Sequence, residues 1–483
     1  MKKSILRMVS FLTILIIILS YTNNVFVYKN DSGINTFKKF YDLEDNTIDV
    51  LILGSCHAYQ AVNTGILWQE HGISSFVLAG SAQPMWNTYH YLKETLNTQT
   101  PKLIILEAYM TTKVTDYGGE DYFIISNTFG MRWSKNKIEA IRVSAPQERW
   151  GQFMFSYIQY HSRYTDLSRA DFTKNQGNPL YENWKGFSCN MNTTVYDTPN
   201  VGEVTEREAL SLKTETYYRK IIELAAENDI PLLIVASPYA GIDETDQAML
   251  NTAADIASEY NVDFVNYNLL YDVIGIDFSC DVADFHHLNY KGSQKYTQLL
   301  GKYIINHYDI PDHRGNDEYE SWELDSQYLA SMIKNQQLAE ASDISDIIQN
   351  INNQEYLLFV SVDGNCYTFD DERLDDNVAS FLNILHIPRN NENGIWYINN
   401  QSGYLYASGS ESASTTFRLD YHDVCLSRTF DETLQQYTNL VNIDRTDYKK
   451  VTNGINITVY NPLTQSIVDS FGFDMDNNYN VVR

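Results

Sequence analysis

Two short stretches carry residue types suited to nucleophilic chemistry. The first is Gly54-Ser55-Cys56-His57, directly after the apolar run Val50-Leu51-Ile52-Leu53; the second is Asp284-Phe285-His286-His287, directly before Leu288-Asn289-Tyr290. A thiol next to a helix start is a nucleophile once deprotonated, and it needs a base whose own orientation is held by an acceptor. The three-residue offset in Asp284-x-x-His287 lets one loop supply both the imidazole and the carboxylate. His286 competes as base, but the Asp spacing favours His287. Ser55 is the alternative nucleophile if the turn register shifts by one residue.

These groups need a rigid frame, and the flanking sequence supplies one. Val50-Leu51-Ile52-Leu53, Ser75-Phe76-Val77-Leu78, Leu103-Ile104-Ile105-Leu106, Leu232-Leu233-Ile234-Val235 and Asp263-Phe264-Val265 read as short strands. Trp86–Thr95, Glu206–Glu227 and Asp246–Tyr260 carry helical spacing between them. Near-continuous apolar strands alternating with amphipathic helices predict a doubly covered parallel α/β sheet. In such a sheet, ligands sit outside the carboxyl ends of the strands, where Gly54-Ser55-Cys56-His57 falls. Tyr296, Leu299, Leu300, Tyr303 and Ile304 mark a last helix, with Asn289 as its cap.

The ordered pair Gly54-Ser55-Cys56-His57 and Asp284-x-x-His287-Leu288-Asn289 resembles the SGNH (GDSL-like) superfamily, and within it the DltD-like bacterial envelope proteins. The likeness spans Phe40 to Tyr308 and includes Gly80-Ser81-Ala82-Gln83 as a Gly-containing second block. It implies a three-layer α/β/α fold with flavodoxin-like order and acyl-ester transfer or hydrolysis. Carried over, Cys56 takes the nucleophile position, Gly80 an oxyanion-donor position, Asp284 the orienting position and His287 the base. Cysteine replaces the family serine. The strand ending Leu106-Glu107-Ala108-Tyr109 lacks the Gly-x-Asn-Asp that supplies another oxyanion donor. Ser55, His57, Gln83, Glu107, His161 and Arg163 complete the candidate set as substrate-facing residues, with a helix cap as the structural alternative for Glu107. The resemblance also implies a cell-envelope glycan, an acyl donor and a membrane-bound O-acyltransferase as partners. It calls for no cofactor and no metal.

The 483 residues accommodate two domains and an anchor. Lys2 and Lys3 precede an apolar run from Met8 to Tyr21, so residues 1–29 read as an anchor with its N-terminus inside and the bulk of the chain outside. Secretion after signal cleavage is the alternative. Residues 30–312 form the SGNH-like domain, whose stretch 111–200, with no clean period, reads as an insertion over the sheet. Residues 313–353 read as a helical linker.

From 354 to 483 the spacing becomes that of an α+β module, with strands at Leu357–Val362, Ile395–Ile398, Tyr404–Tyr406, Thr416–Leu419, Ile455–Tyr460 and Ser466–Phe471 and a helix over Leu374–Ile387. Gly394-Ile395-Trp396-Tyr397-Ile398 and Gly454 to Asn461 resemble the ILEI or PANDER-like domain, which implies non-catalytic glycan or protein binding. A net charge of -27 with no basic stripe after the first residues argues against a nucleic-acid partner, because a polyphosphate requires Lys/Arg neutralisation. The five cysteines show no metal-site spacing. Outside the cell Cys366 could pair with Cys425 and Cys189 with Cys280, which would leave Cys56 as the odd free thiol.

Overall fold

In a computed structural model the chain is described over residues 2–26, 32–113, 121–154, 160–172, 184–351, 356–364, 376–384, 394–399, 402–408, 412–433 and 435–483. It divides into two compact units, Met1–Ser326 and Gln327–Arg483.

Five strands build the first unit: β1 (Val50–Gly54), β2 (Ser75–Ala79), β3 (Leu103–Glu107), β4 (Leu232–Ala236) and β5 (Asp263–Asn266). All neighbours are parallel, in the order β2-β1-β3-β4-β5. The five expected strands are all present, each extended by a residue or so at its carboxyl end. β1 to β4 are buried on both faces, which is why their sequences are continuously apolar.

Alternate residues enter separate cores. Leu51, Leu53, Phe76, Leu78, Ile104 and Leu106 pack with Phe37, Tyr91, Tyr218 and Ile221. Val50, Ile52, Val77, Ile105 and Val235 pack with Ala58, Leu67, Tyr296 and Leu300. The result is the expected three-layer α/β/α unit. Its strand order reverses between β1 and β3, the switch point at which sheets of this kind bind ligands.

The helices in this unit include α1 (Lys2–Phe26), α2 (Ser32–Tyr41), α3 (Cys56–Ala61), α4 (Thr64–His71), α5 (Met85–Thr95), α6 (Asp121–Thr128) and α7 (Lys135–Ser144). α1 holds a 20-residue segment, Lys3–Thr22, long and apolar enough to cross a membrane. The helix expected from Glu206 begins instead at Leu212, where Ser211 Oγ accepts from Thr214 N at 3.2 Å. Before it, Val201 and Leu210 enter the core, which holds that stretch out of helix.

Part of the 111–200 stretch pairs with the sheet itself. Lys185 O accepts from Val77 N at 2.8 Å, covering the open edge of β2. Gly186 (φ +88) is required there, since a Cβ would lie 1.8 Å from Val77 O. An uncovered edge strand invites pairing with other chains.

The second unit is α+β. One antiparallel sheet has the order Asn480–Val482, Ser466–Asp474, Gly454–Asn461, Leu357–Asp363, Gly394–Asn399, Ser402–Ser408. A second holds Thr446–Asp447, Gln436–Ile443, His422–Asp431 and Ala413–Leu419. Val360, Ile457 and Phe471 pack on Val378 and Leu382 of the helix Asp376–Ile384, while Leu357, Phe359 and Tyr460 face Val424, Leu426 and Val441 of the second sheet. The strands His422–Asp431 and Gln436–Ile443 were absent from the expected set. Only one face of each is buried, and that face itself includes Arg428 and Asn439, so their apolar signal is diluted.

Cys189 and Cys280 are free thiols, so the expected bridge between them is not formed. Cys189 Sγ lies 3.9 Å from Met191 Sδ, and Cys280 Sγ lies 3.7 Å from Asp281 Oδ1. Cys425 is also free, and Cys366 lies outside the described residues.

Candidate active site

β1 ends at Gly54 (φ +155), a position held open by two neighbours: a Cβ there would approach Glu107 Cβ to 2.8 Å and Ala58 Cβ to 3.0 Å. The chain then turns at Ser55, the N-cap of α3, whose Oγ accepts from His57 N at 3.4 Å. Ser55 is fully buried by this role, whereas Cys56 is partly exposed at the first helical position. The tertiary fold therefore presents the thiol, not the hydroxyl.

Asp284 and His287 occupy the loop before the helix Tyr290–His307. Asp284 Oδ1 accepts from His286 N at 2.8 Å and His287 N at 3.1 Å, and it holds His287 Nδ1 at 2.8 Å. The same carboxylate thus fixes both the loop and the ring, leaving His287 Nε2 to the site. Ligand-capable atoms of Cys56, His57 and His287 all lie within 4.8 Å of one another. Burial works against a charged His287, but Cys56 and the Asp284 carboxylate outweigh it and push the imidazole up to about 9. Asn289 anchors the loop's far end as the expected cap, accepting from Lys291 N at 2.9 Å and Gly292 N at 3.1 Å. Its amide donates to Cys280 O at 2.8 Å.

His286 turns away from this pairing, with Nδ1 3.4 Å from Tyr109 Oη. His57 is buried, stacked on Tyr109 at 3.4 Å between ring centroids and met edge-on by Tyr239 at 4.9 Å. Burial holds its imidazole well below the ordinary histidine range, with His287, His286 and Lys113 adding to the effect. Lys113 lies 4.5 Å from the Tyr109 ring centroid and pairs with Asp246, which also accepts from Tyr239 Oη at 2.8 Å. Tyr109, Lys113, Tyr239 and Asp246 were missed in the sequence because no motif marks them; their partners come from β3, β4 and a later helix.

The second block follows β2. Gly80 is required, since a Cβ would lie 2.1 Å from Asn127 Oδ1, and Ala82 adopts a left-handed backbone at φ +46. Asn127 of α6 donates to Ser81 O at 2.8 Å, and Ser81 Oγ lies 3.0 Å from Tyr59 Oη of α3. Gln83 is fully buried and donates to Thr88 Oγ1 at 3.0 Å. The structure thus places Gln83 in the interior.

Glu107 is likewise interior. Both its oxygens accept from Tyr109 N at 3.2 Å, and Oε1 accepts from Ser237 N at 3.3 Å. Burial dominates over these donors and pushes its carboxyl up to about 8. Glu107 thus binds together the chain beyond β3 and β4, through Tyr109 N and Ser237 N. Arg163 is buried against Asp171 at 2.8 Å and donates to Phe26 O, while His161 is exposed on the same helical turn. Arg163 therefore joins the end of α1 to the insertion.

A further element ties the two motifs together. Asn190 Nδ2 donates to Gln60 Oε1 at 3.0 Å and Ser188 N to Tyr59 O at 2.7 Å, both on α3. Thr194 N donates to Val282 O at 2.9 Å, and Tyr290 N to Asn190 O at 2.8 Å. The segment 188–196 thus bridges the cysteine helix and the histidine loop.

No protein-family model and no curated protein matches the chain. Among the solved structures similar to it are two of note. One is a candidate acylhydrolase from Bacteroides fragilis NCTC 9343, at 11% identity and TM-score 0.28, over 56% of this chain and 93% of that one. The other is a gut microbial diltiazem-metabolizing enzyme, at 14% identity and TM-score 0.20, over 53% of this chain and 47% of that one. Likeness at this level says nothing about chemistry.

Proposed function

We propose that the chain transfers or hydrolyses acyl esters through Cys56, on a cell-envelope polysaccharide or related glycopolymer outside the membrane that α1 enters. The supporting observation is the convergence of Cys56, at the end of β1, with His287, whose Nδ1 is held by Asp284 at 2.8 Å. Protonated His287 pairs with the Cys56 thiolate as the sulfur attacks the acyl carbonyl, then gives its proton to the departing alkoxide. A hydroxyl or water, deprotonated by His287, next attacks the thioester and releases Cys56 as the thiolate. The Cys56 and Gly80 backbone N–H groups are the candidate oxyanion donors. In this reading the second unit holds the glycan as an ILEI-like domain, and a membrane-bound O-acyltransferase supplies the acyl group.

A non-catalytic scaffold is favoured by one observation: β3 leads into Tyr109 stacked on His57, where the family carries an Asn donor. The full-length chain in detergent, treated with a thiol-directed acylating probe and an acetyl-ester substrate, separates the readings. Labelling and turnover lost in Cys56→Ala and reduced at least about 100-fold in His287→Ala support acyl transfer. Turnover independent of both residues leaves the scaffold.

A further inference from the structure

A buried imidazole nitrogen near the thiol, His57 Nε2, has no hydrogen-bond partner, while His287 Nε2 is the nitrogen left for Cys56. Buried polar atoms in folded proteins are nearly always partnered, so an orphaned nitrogen beside a thiol points to a ligand. Acyl transfer uses His287 and gives His57 no task. Ligand-capable atoms of Cys56, His57 and His287 lie within 4.8 Å of one another, whereas tetrahedral zinc with one sulfur and two nitrogen ligands requires separations of about 3.3 to 3.6 Å. Closing that gap takes shifts of about an ångström.

We propose that Cys56, His57 and His287 bind one soft divalent cation, zinc foremost, which occupies the thiol and competes with acylation. One thiolate and two imidazoles suit zinc and its neighbours, and the absence of carboxylate ligands disfavours calcium and magnesium. His57 is fixed for this role by the Tyr109 stack and the Tyr239 edge. His287 donates its other nitrogen to Asp284, the outer contact that orients metal-bound histidines. Three protein ligands leave a fourth position open for water or an incoming hydroxyl. The metal site stands independently of turnover, while its competition with acylation rests on the acyl-transfer reading.

The test titrates cobalt(II) into the chelator-treated full-length chain in detergent. The expected result is one cobalt per chain, with a near-ultraviolet thiolate charge-transfer band and visible bands of four-coordinate cobalt. The charge-transfer band disappears in Cys56→Ser, and affinity falls in His57→Phe, which keeps a ring on Tyr109. Asp284→Asn, with all three ligands intact, weakens binding about 10-fold to 100-fold. Circular dichroism melts of each variant report folding. Zinc also slows probe labelling of Cys56, a chelator restores it, and His57→Phe loses the zinc effect relative to its own zinc-free rate. Absence of the bands, or bands unchanged in Cys56→Ser and His57→Phe, overturns the site. Cobalt bands without any Cys56 acylation uphold the metal site and remove the acyl-transfer reading; acylation with neither bands nor zinc protection does the reverse.

Discussion

His57 lies flat on Tyr109, with ring centroids 3.4 Å apart and planes within 13°. The residue after the thiol is thereby locked to the residue two places beyond the end of β3, across the switch point of the sheet. Tyr109→Phe keeps the stack and is expected to remain within about 0.5 kcal/mol of the parent in urea denaturation. Tyr109→Ala leaves a cavity under His57 and is expected to cost about 3 kcal/mol. It also slows probe labelling of Cys56 several-fold. Equal effects of the two changes would show that the stack positions nothing.

Glu107 makes stability depend on pH. Its folded pKa is raised from 4.5 to about 8, so the fold holds a proton that the unfolded chain releases. The contribution is fully present below about pH 4.5, is lost as pH rises towards 8, and is absent above that. The loss is on the order of 5 kcal/mol. Glu107→Gln keeps a neutral acceptor for Tyr109 N and Ser237 N, so its urea midpoint should fall less between pH 5 and pH 9 than that of the parent. Parallel curves for the two proteins would contradict this assignment.

Gly80 and Asn127 are expected to couple. A methyl at Gly80 meets Asn127 Oδ1, so Gly80→Ala should destabilise by about 1 to 3 kcal/mol. Asn127→Ala removes the obstacle but also the bond to Ser81 O. The double variant should therefore be at least about 0.5 kcal/mol more stable than the sum of the single changes predicts. A thermal-unfolding cycle measures this, and strict additivity would place the strain elsewhere.

Asn289 and Asn190 set the approach of the histidine loop to α3. Asn289→Ala loses a helix cap and a buried donor, at an expected cost of about 2 kcal/mol. Asn190→Ala removes the partly buried link to Gln60 and should cost about 1 kcal/mol, while still slowing Cys56 labelling. Labelling at the parental rate in both variants would show that the 188–196 bridge does not organise the site.

Much of the first unit was legible because local rules and tertiary demands agree. Leu51 to Leu53 and Ile104 to Leu106 are apolar on both faces because the sheet is covered on both faces, and Asn289 reads as a cap because its side chain bonds its own helix. The second unit was read less fully. In His422–Asp431, Val424 and Leu426 alternate with solvated neighbours, so each strand carries half the signal.

The amino-acid order by itself determined the strand-helix alternation, the apolar N-terminal run and the placement of Cys56 and Asp284-x-x-His287 at the two ends of one sheet domain. These depend on short-range periodicity and on chain position. Only the tertiary structure decided that Ser55 faces inward as a cap, that Glu107 and Gln83 are interior, and that His57 joins Cys56 and His287. It alone showed Cys189 and Cys280 unbridged. Such outcomes rest on side chains brought together from β1, β3, β4 and the 188–196 segment, and burial, stacking and an orphaned nitrogen arise only when those surfaces meet.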